Sequence, residues 1–157
     1  MGRTSYLGLA SSPSKEDVKI AEASMEKLNI LHLKDKIYSK MSGGERQLVK
    51  ISQALAQESQ IIVMDEPTNN LDFGNQIVML EHLRECAKMG KTIIMATHFP
   101  DQALSYGTKA LLVNNGEVVV KPKENIRDSD LKDIYNVNIK IFELDYKGNR
   151  VKMCLPI

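Results

Sequence analysis

Two adjacent acids, Asp65 and Glu66, directly follow the apolar run Ile-Ile-Val-Met at residues 61–64. An aspartate at the end of a buried strand can hold a hydrated Mg²⁺, which takes oxygen ligands and keeps several waters. A neighbouring glutamate can orient or deprotonate a water for attack on a phosphoryl group. The doublet therefore indicates phosphoryl chemistry, although the acids alone leave a solvated strand end with no ligand as an equal alternative.

A pair of glycines provides a second candidate for phosphate binding, in the segment Ser42-Gly43-Gly44-Glu45. Ser42 and Glu45 have the spacing of a capping box, which satisfies backbone donors at a helix N-terminus and needs no ligand. The capping box does not explain the glycines, since each one costs a helix about 1 kcal/mol relative to alanine. A helix tip without side chains presents its N–H groups and its positive dipole to an anion, most often phosphate.

The elements that must position these residues are a helix and two strands. Residues 43–57 predict a helix with Leu48, Ile51 and Leu55 on one stripe. The run at 61–64, which Pro67 ends, and the run KTIIMA at 91–96 are typical of strands buried on both faces of a mostly parallel sheet. Open α/β sheets bind ligands at the carboxyl ends of such strands. We therefore expect an incomplete α/β layer with helices on both faces.

Asp72 and His98 lie at the ends of the neighbouring elements. Asp72 closes a polar turn and fits the N-cap of a helix over residues 73–89, with Gly90 as its C-terminal cap. The stripe predicted for that helix consists of Ile77, Leu80, Arg84 and Ala87. His98 follows the second strand after Thr97. A lone histidine is usually structural, but at this position it would lie within reach of the crevice that holds the acids.

The rest of the chain predicts helices and hairpins, and no motif occurs beyond residue 122. A helix is predicted over residues 14–28, starting at a capping pair of Ser14 and Asp17, followed by a short helical turn at 31–34. A short helix is predicted at 100–104, and Asn115-Gly116 predicts a type I′ hairpin between residues 109–113 and 117–120. Beyond residue 122 we expect a helix over 128–135 and a terminal hairpin formed by 138–144 and 150–155.

Composition argues against nucleic-acid-binding, membrane-spanning and secreted proteins. The 157 residues are 43% hydrophobic and 26% charged, as in a globular domain, and the net charge of +1 gives no electrostatic footprint for nucleic acid. No apolar run approaches the roughly 20 residues that span a bilayer, and no apolar signal core is present. Cys86 and Cys154 match no metal-binding spacing and fit a reducing compartment, with Cys86 as a buried core residue. We therefore expect a cytosolic chain that can dock on a membrane protein.

Four motifs occur in order between Ser42 and His98: SGGERQ, an apolar run ending in DE, PTNNLD, and MATH. Together they resemble the nucleotide-binding subunit of ATP-binding cassette (ABC) transporters. The residues Arg46-Gln47, the run DFGNQ and the leading MGRTSYLG look most like the ATPases of importers for iron chelates, haem and cobalamin. The resemblance implies part of the P-loop NTPase fold of ABC ATPases: a parallel sheet core flanked by helices, a small N-terminal helical subdomain and a C-terminal hairpin.

The resemblance also implies a role for each motif residue in a dimer that holds ATP and Mg²⁺ between its subunits. Asp65 serves Mg²⁺, Glu66 polarises the attacking water, His98 contacts the terminal phosphate, and Asp72 couples the two sites. The residues implied to close over the ATP of the partner subunit are Ser42, Gly43, Gly44, Glu45 and Gln47.

The same resemblance divides the chain into three parts. Residues 1–40 correspond to part of the helical subdomain, residues 41–122 to the C-terminal portion of the nucleotide-binding domain, and residues 123–157 to an extension. It implies as partners a transmembrane permease and a second ATPase subunit in a homodimer, without nucleic acid. It implies a cytoplasmic place on the inner face of the cell membrane.

One motif of the family does not occur in these residues, the phosphate-cradling loop G-x-x-x-x-G-K-[ST]. Only Gly90-Lys91-Thr92 matches its end, but Glu85 stands where the first glycine belongs, and an apolar strand follows where a helix must begin. We therefore expect the chain to correspond to the C-terminal part of the subunit. Alone, it should neither bind ATP at millimolar concentration nor hydrolyse it, and its uncovered sheet surface should make it self-associate.

Three functions remain open from the sequence. The first is a truncated ATP-hydrolysing subunit of an importer for iron chelate, haem or cobalamin. The second is a non-catalytic interaction or regulatory module that docks on a permease or an intact cassette. The third is a fragment of a soluble ABC ATPase, which the neutral charge and DFGNQ disfavour.

Overall fold

The computed structural model describes residues 2–8, 12–69, 71–146 and 149–157. The chain forms two compact units, Met1–Ala96 and Thr97–Ile157. The first unit contains α1 (Lys15–Glu26), α2 (Gly43–Ala56), β1 (Ile61–Asp65), α3 (Phe73–Lys88) and β2 (Thr92–Ala96). Short 3-10 turns lie at Thr4–Tyr6, Leu31–Leu33 and Tyr38–Lys40.

The helices of the first unit begin within one residue of the predicted starts and end one or two residues before the predicted ends. Helices α1, α2 and α3 have Ser14, Ser42 and Asp72 as N-caps, and each side chain accepts a hydrogen bond from the backbone N–H three residues later. These bonds satisfy donors that a helix start otherwise leaves without partners. Helix α3 is followed by Gly90, whose φ of +88° is in the left-handed region that favours glycine.

Strands β1 and β2 pair in parallel, with Ile61 opposite Thr92 and Asp65 opposite Ala96. The predicted parallel pair is therefore confirmed. The prediction of burial on both faces is wrong for the described chain, because side chains along β1 alternate: Ile62 is buried, whereas Val63 is 71% exposed. Helices α2 and α3 pack on one face, and no element in the described part of this unit covers the other.

The core of the first unit lies between the helices and the covered face of the strand pair. The stripe predicted for α2 is confirmed, since its members pack in this core. The stripe predicted for α3 is wrong except at Leu80. The helix instead buries Met79, Leu80, Leu83 and Cys86. Apolar residues occupy four consecutive positions of α3, residues 77–80, so helical spacing alone does not determine which face packs inward.

The second unit contains two helices and two antiparallel hairpins. Its elements are α4 (Pro100–Tyr106), β3 (Lys109–Asn114), β4 (Glu117–Pro122), α5 (Asp128–Tyr135), β5 (Ile139–Tyr146) and β6 (Asn149–Pro156). Asn115 and Gly116 have φ values of +47° and +83°, as a type I′ turn requires. The turn predicted for the last hairpin is Lys147-Gly148-Asn149, and its first two residues lie outside the described residues.

A separate core holds the second unit together. Its buried residues come from both hairpins, both helices and the segment between β4 and α5: Leu104, Ala110, Ile126, Leu131, Ile139 and Cys154. Burial raises the pKa of the Cys154 thiol to about 12, so it behaves as a core residue and not as a nucleophile. Among the described residues, no helix combines the length and apolarity needed to cross a lipid bilayer.

Candidate functional site

The tip of α2 is held by a closed set of hydrogen bonds. The Ser42 N–H donates to Glu45 Oε2 at 2.7 Å, and the Glu45 N–H donates to Ser42 Oγ at 3.2 Å, which confirms the predicted capping box. The Lys36 ammonium adds a hydrogen bond of 2.8 Å to the same carboxylate. The bond from Lys36, followed by the Ser42 N–H, holds the pKa of Glu45 below its ordinary value. Glu45 is therefore ionised at neutral pH, and its carboxylate is part of the helix cap.

The two glycines at this tip have different surroundings. Gly43 is exposed, whereas Gly44 is buried. A Cβ added at Gly44 would lie 3.2 Å from Asn75 Cγ and 3.3 Å from Asn75 Oδ1, closer than most real Cβ contacts. The second glycine therefore has a structural reason that the sequence analysis did not anticipate, since the first turn of α3 packs directly on it. Gln47, one turn further along α2, is half-buried.

The acid doublet lies at the carboxyl end of the parallel strand pair, as predicted. Asp65 is the last residue of β1, and both acids are exposed. The Glu66 N–H donates to the Ala96 carbonyl at 3.0 Å, which fixes Glu66 at the end of both strands. The Asn69 N–H donates to the Glu66 carbonyl at 3.1 Å, and the Asn69 side-chain amide donates to the Glu66 carboxylate.

Glu66 has a strained backbone. Its φ of +43° lies in the left-handed region, which a residue with a Cβ rarely adopts and which costs on the order of 1–3 kcal/mol. Such residues concentrate at functional sites, where the surrounding structure holds them in place. The bonds to Ala96 and Asn69 do so here, and they turn the chain sharply between Asp65 and the buried Pro67.

A metal ion at this strand end would need ligands beyond the described side chains. Across the described residues, no group of three or more His, Cys, Asp and Glu side chains could hold a metal. Mg²⁺ that accompanies a nucleotide needs only one or two carboxylates, because phosphate oxygens and waters complete its shell. The exposed carboxylate of Asp65, with Glu66 beside it, fits that kind of binding and does not fit a site built from protein ligands alone.

Asp72 caps α3 and is bonded twice by Asn75. The Asn75 N–H donates to Asp72 Oδ1 at 3.0 Å, and Asn75 Nδ2 donates to Asp72 Oδ2 at 2.5 Å. These bonds, the backbone bond first, hold the pKa of Asp72 below its ordinary value. The structure therefore brings Gly44 and Asp72 together through Asn75, a residue that the sequence analysis missed. The spacing from Asp72 to Asn75 predicts the capping bond, but no local signal predicts the contact with Gly44.

His98 belongs to the second unit, near its start. Its side chain is exposed, and its ring is tilted against that of Phe99 with the centroids 4.1 Å apart. The hydroxyl of Tyr135 donates to the His98 carbonyl at 3.2 Å, which ties this segment to α5. The position predicted for the His98 side chain, beside the acid doublet, stays a prediction.

Comparisons with known proteins agree on one family. The sequence profile of the ABC transporter family matches residues 4–69. An uncharacterized ABC transporter ATP-binding protein of Haemophilus influenzae is 41% identical over 114 residues, which cover 73% of this chain and 43% of that protein. The molybdate import ATP-binding protein MolC of the same species is 34% identical, over 100% of this chain and 63% of its own length.

Solved structures give the same result. A chain from a transporter assigned to the metal-chelate type of ABC transporters, in an inward-facing conformation, superposes with a TM-score of 0.94. It is 29% identical, and the match covers 100% of this chain and 63% of that one. The chain thus spans between two fifths and two thirds of the length of the proteins to which it is similar.

Proposed function

Because this chain belongs to the ABC transporter ATP-binding proteins and has the α/β P-loop NTPase fold of their ATPases, we propose that it forms part of an ATP-hydrolysing importer subunit. The observation that carries the proposal is the end of the β1–β2 pair. There Asp65 and Glu66 are exposed side by side, and Glu66 is fixed by its bond to Ala96. Carboxyl ends of parallel strands are where α/β sheets bind their ligands.

The acids of this strand end do the chemical work in the proposal. Asp65 holds Mg²⁺ together with phosphate oxygens and waters, and the ion neutralises charge on the phosphates. Glu66 orients the attacking water and accepts its proton. The bond from the Asn69 side-chain amide supports this role, because it holds the Glu66 carboxylate in one position. His98 contacts the terminal phosphate.

The tip of α2 forms one side of a second nucleotide site in the dimer. The other side of that site, which makes most of the contacts with the nucleotide, belongs to the second subunit. The backbone N–H groups of the tip and its helix dipole favour a phosphate group. Gly43 leaves the tip open, because it is exposed and has no side chain. Asp72 couples this tip to the second site of the dimer. The residues assigned to this face are Ser42, Gly43, Gly44, Glu45 and Gln47.

The partners follow from the same assignment. They are a second ATPase subunit and a transmembrane permease, on the cytoplasmic face of the cell membrane. Residues 1–40 form part of the helical subdomain that meets the permease, residues 41–122 belong to the nucleotide-binding domain, and residues 123–157 form an extension. The import function of the MolC relative supports this assignment.

For the solute we propose a metal chelate, that is an iron chelate, haem or cobalamin. The motif residues 42–47 and 72–76 support it, together with the likeness to the metal-chelate type of transporter. Molybdate is the second candidate, because the molybdate import relative matches the whole chain. The geometry of the nucleotide site favours neither solute, since an ATPase subunit does not contact it.

The test is a chimera that joins the G-x-x-x-x-G-K-[ST]-bearing segment of an ABC ATPase to this chain. We expect Glu66→Gln to lower kcat for ATP about 100-fold and to leave ATP binding intact, because it removes a general base and keeps the shape. The matched control is Glu81→Gln, an exposed glutamate of α3 that should have no effect. Hydrolysis near the rate of the parent chimera would refute the role of Glu66.

A parent chimera that binds ATP but does not hydrolyse it would refute the proposal itself. The alternative of a non-catalytic module, which docks on a permease or an intact cassette, would then explain the chain better.

A further inference from the structure

Asn75 lies between two elements to which the proposed function gives different tasks, the tip of α2 and the Asp72 turn. Its side-chain amide packs against Gly44, as shown by the 3.2 Å distance from Asn75 Cγ to a Cβ placed on that glycine. The same amide donates to Asp72 Oδ2 at 2.5 Å. One small side chain therefore contacts both elements.

The contact is specific in shape and in polarity. The Asn75 amide occupies the space that any side chain at position 44 would need, so its position and the bare backbone of Gly44 depend on each other. Its Nδ2 can donate to the Asp72 carboxylate, which an aspartate or a leucine at position 75 could not do. The two bonds to Asp72, from the side chain and from the N–H of the same residue, leave the amide little freedom to rotate.

We propose that Asn75 is a positioning residue that ties the Gly44 tip to the Asp72 turn, so that the two move together. Its importance for catalysis rests on the proposed function, in which the tip closes over a phosphate and Asp72 couples the two sites of the dimer. A shift of Asp72 is then transmitted through the amide to the helix tip. Asn75 itself contacts no reacting group and acts only through these two residues.

The link is tested by NMR on the 157-residue chain, deuterated so that self-association does not remove signals. The pH dependence of the Gly44 amide shift is compared with that of the Asp72 carboxyl carbon in a Glu45→Gln background, because the adjacent Glu45 carboxylate also titrates at acidic pH. We expect both to inflect at the same pH, since protonation of Asp72 weakens the bonds from Asn75. In Asn75→Ala the Gly44 inflection should fall by at least about half, and the pKa of Asp72 should rise toward its ordinary value.

The matched control is Gln76→Ala, in the same turn of α3. The Gln76 side chain bonds the Leu71 carbonyl at 3.0 Å, so its loss disturbs the turn without touching the link. A Gly44 inflection that is absent while Asn75 is present, or that keeps more than about half of its amplitude in Asn75→Ala, would overturn the proposal. Should Asn75→Ala not fold, Asn75→Ser keeps a polar side chain in the first turn and must give the same loss.

The catalytic consequence is measured in the chimera described above. Asn75→Ala should lower kcat about tenfold and change KM for ATP less than twofold. The reason is that misplaced groups slow hydrolysis in the closed dimer more than they weaken the first binding of ATP. An unchanged kcat would contradict the positioning role. A parent chimera that does not hydrolyse ATP would count against the proposed function, and the NMR result would still decide whether Asn75 joins Gly44 to Asp72.

Discussion

At the scale of single residues, two glycines in equivalent positions differ in what surrounds them. Gly44 and Gly74 both lie in the first turn of a helix. A Cβ at Gly44 would press on Asn75 at 3.2 Å, whereas a Cβ at Gly74 would meet Asp72 Oδ1 at 3.4 Å, an ordinary contact. Asn75 cannot easily yield, because two hydrogen bonds hold it to Asp72. Substituting alanine at the two positions therefore distinguishes the effect of helix propensity on stability from the effect of packing.

We predict that Gly44→Ala lowers the free energy of unfolding, although alanine is the better helix former. The gain from propensity is at most about 1 kcal/mol, and overpacking against the hydrogen-bonded Asn75 amide costs about 1–3 kcal/mol. Gly74→Ala should instead raise the free energy of unfolding by up to about 1 kcal/mol. Urea unfolding of both variants measures the difference. Equal stabilisation by both substitutions would show that Asn75 is not fixed.

At the scale of elements, the β1–β2 pair has one covered face and one open face. Val63 and Ile94 are opposite each other in the register and are 71% and 46% exposed. Ile61 adds to the same face with 56% exposure. A contiguous exposed apolar surface and unpaired strand edges both favour association between copies of a chain.

We predict that the 157-residue chain self-associates and that Val63→Thr weakens the association. Threonine keeps the β-branched shape that suits a strand and adds a hydroxyl to the open face. The matched control is Ile62→Thr, which places a hydroxyl in the core and should destabilise the fold instead. Light scattering over a range of concentrations gives the mass. A monomer at high concentration would contradict the prediction.

At the scale of the whole molecule, the proposed function gives this chain only one side of a nucleotide site. The Gly-rich loop that the family uses to hold the phosphates does not occur in these 157 residues. That loop supplies on the order of half a dozen charge-assisted hydrogen bonds of roughly 1.5–3 kcal/mol each. Micromolar affinity corresponds to only about 8 kcal/mol in total, so the loss is decisive.

We predict that this chain by itself shows no saturable binding of Mg-ATP at millimolar concentration. Isothermal calorimetry with the purified chain makes the measurement. The chimera that contains the Gly-rich loop is the positive control and should bind in the same buffer. Saturable binding by the chain alone would mean that the tip of α2 and the acid doublet hold ATP without the loop.

Much of the local structure could be predicted from the sequence, because it depends on neighbouring residues. Three features follow from residue types at fixed short spacings: the caps at Ser42 and Asp72, the turn at Asn115-Gly116, and the strand at 61–65. The candidate acids could be placed at a strand end for the same reason. The roles proposed for them rest on the order of the motifs, since a lone pair of acids is compatible with a solvated strand end.

The remainder depended on contacts between residues far apart in the chain, which no local spacing encodes. Three features depend on how separate elements pack. They are the buried face of α3, the packing of Asn75 against Gly44, and the hydrogen bond from Lys36 to Glu45. The left-handed turn at Glu66 likewise needs the Ala96 carbonyl from the neighbouring strand. The sequence by itself thus determined the elements, their caps and the motif residues. Only the tertiary structure decided which of them meet, because those contacts form when the elements pack.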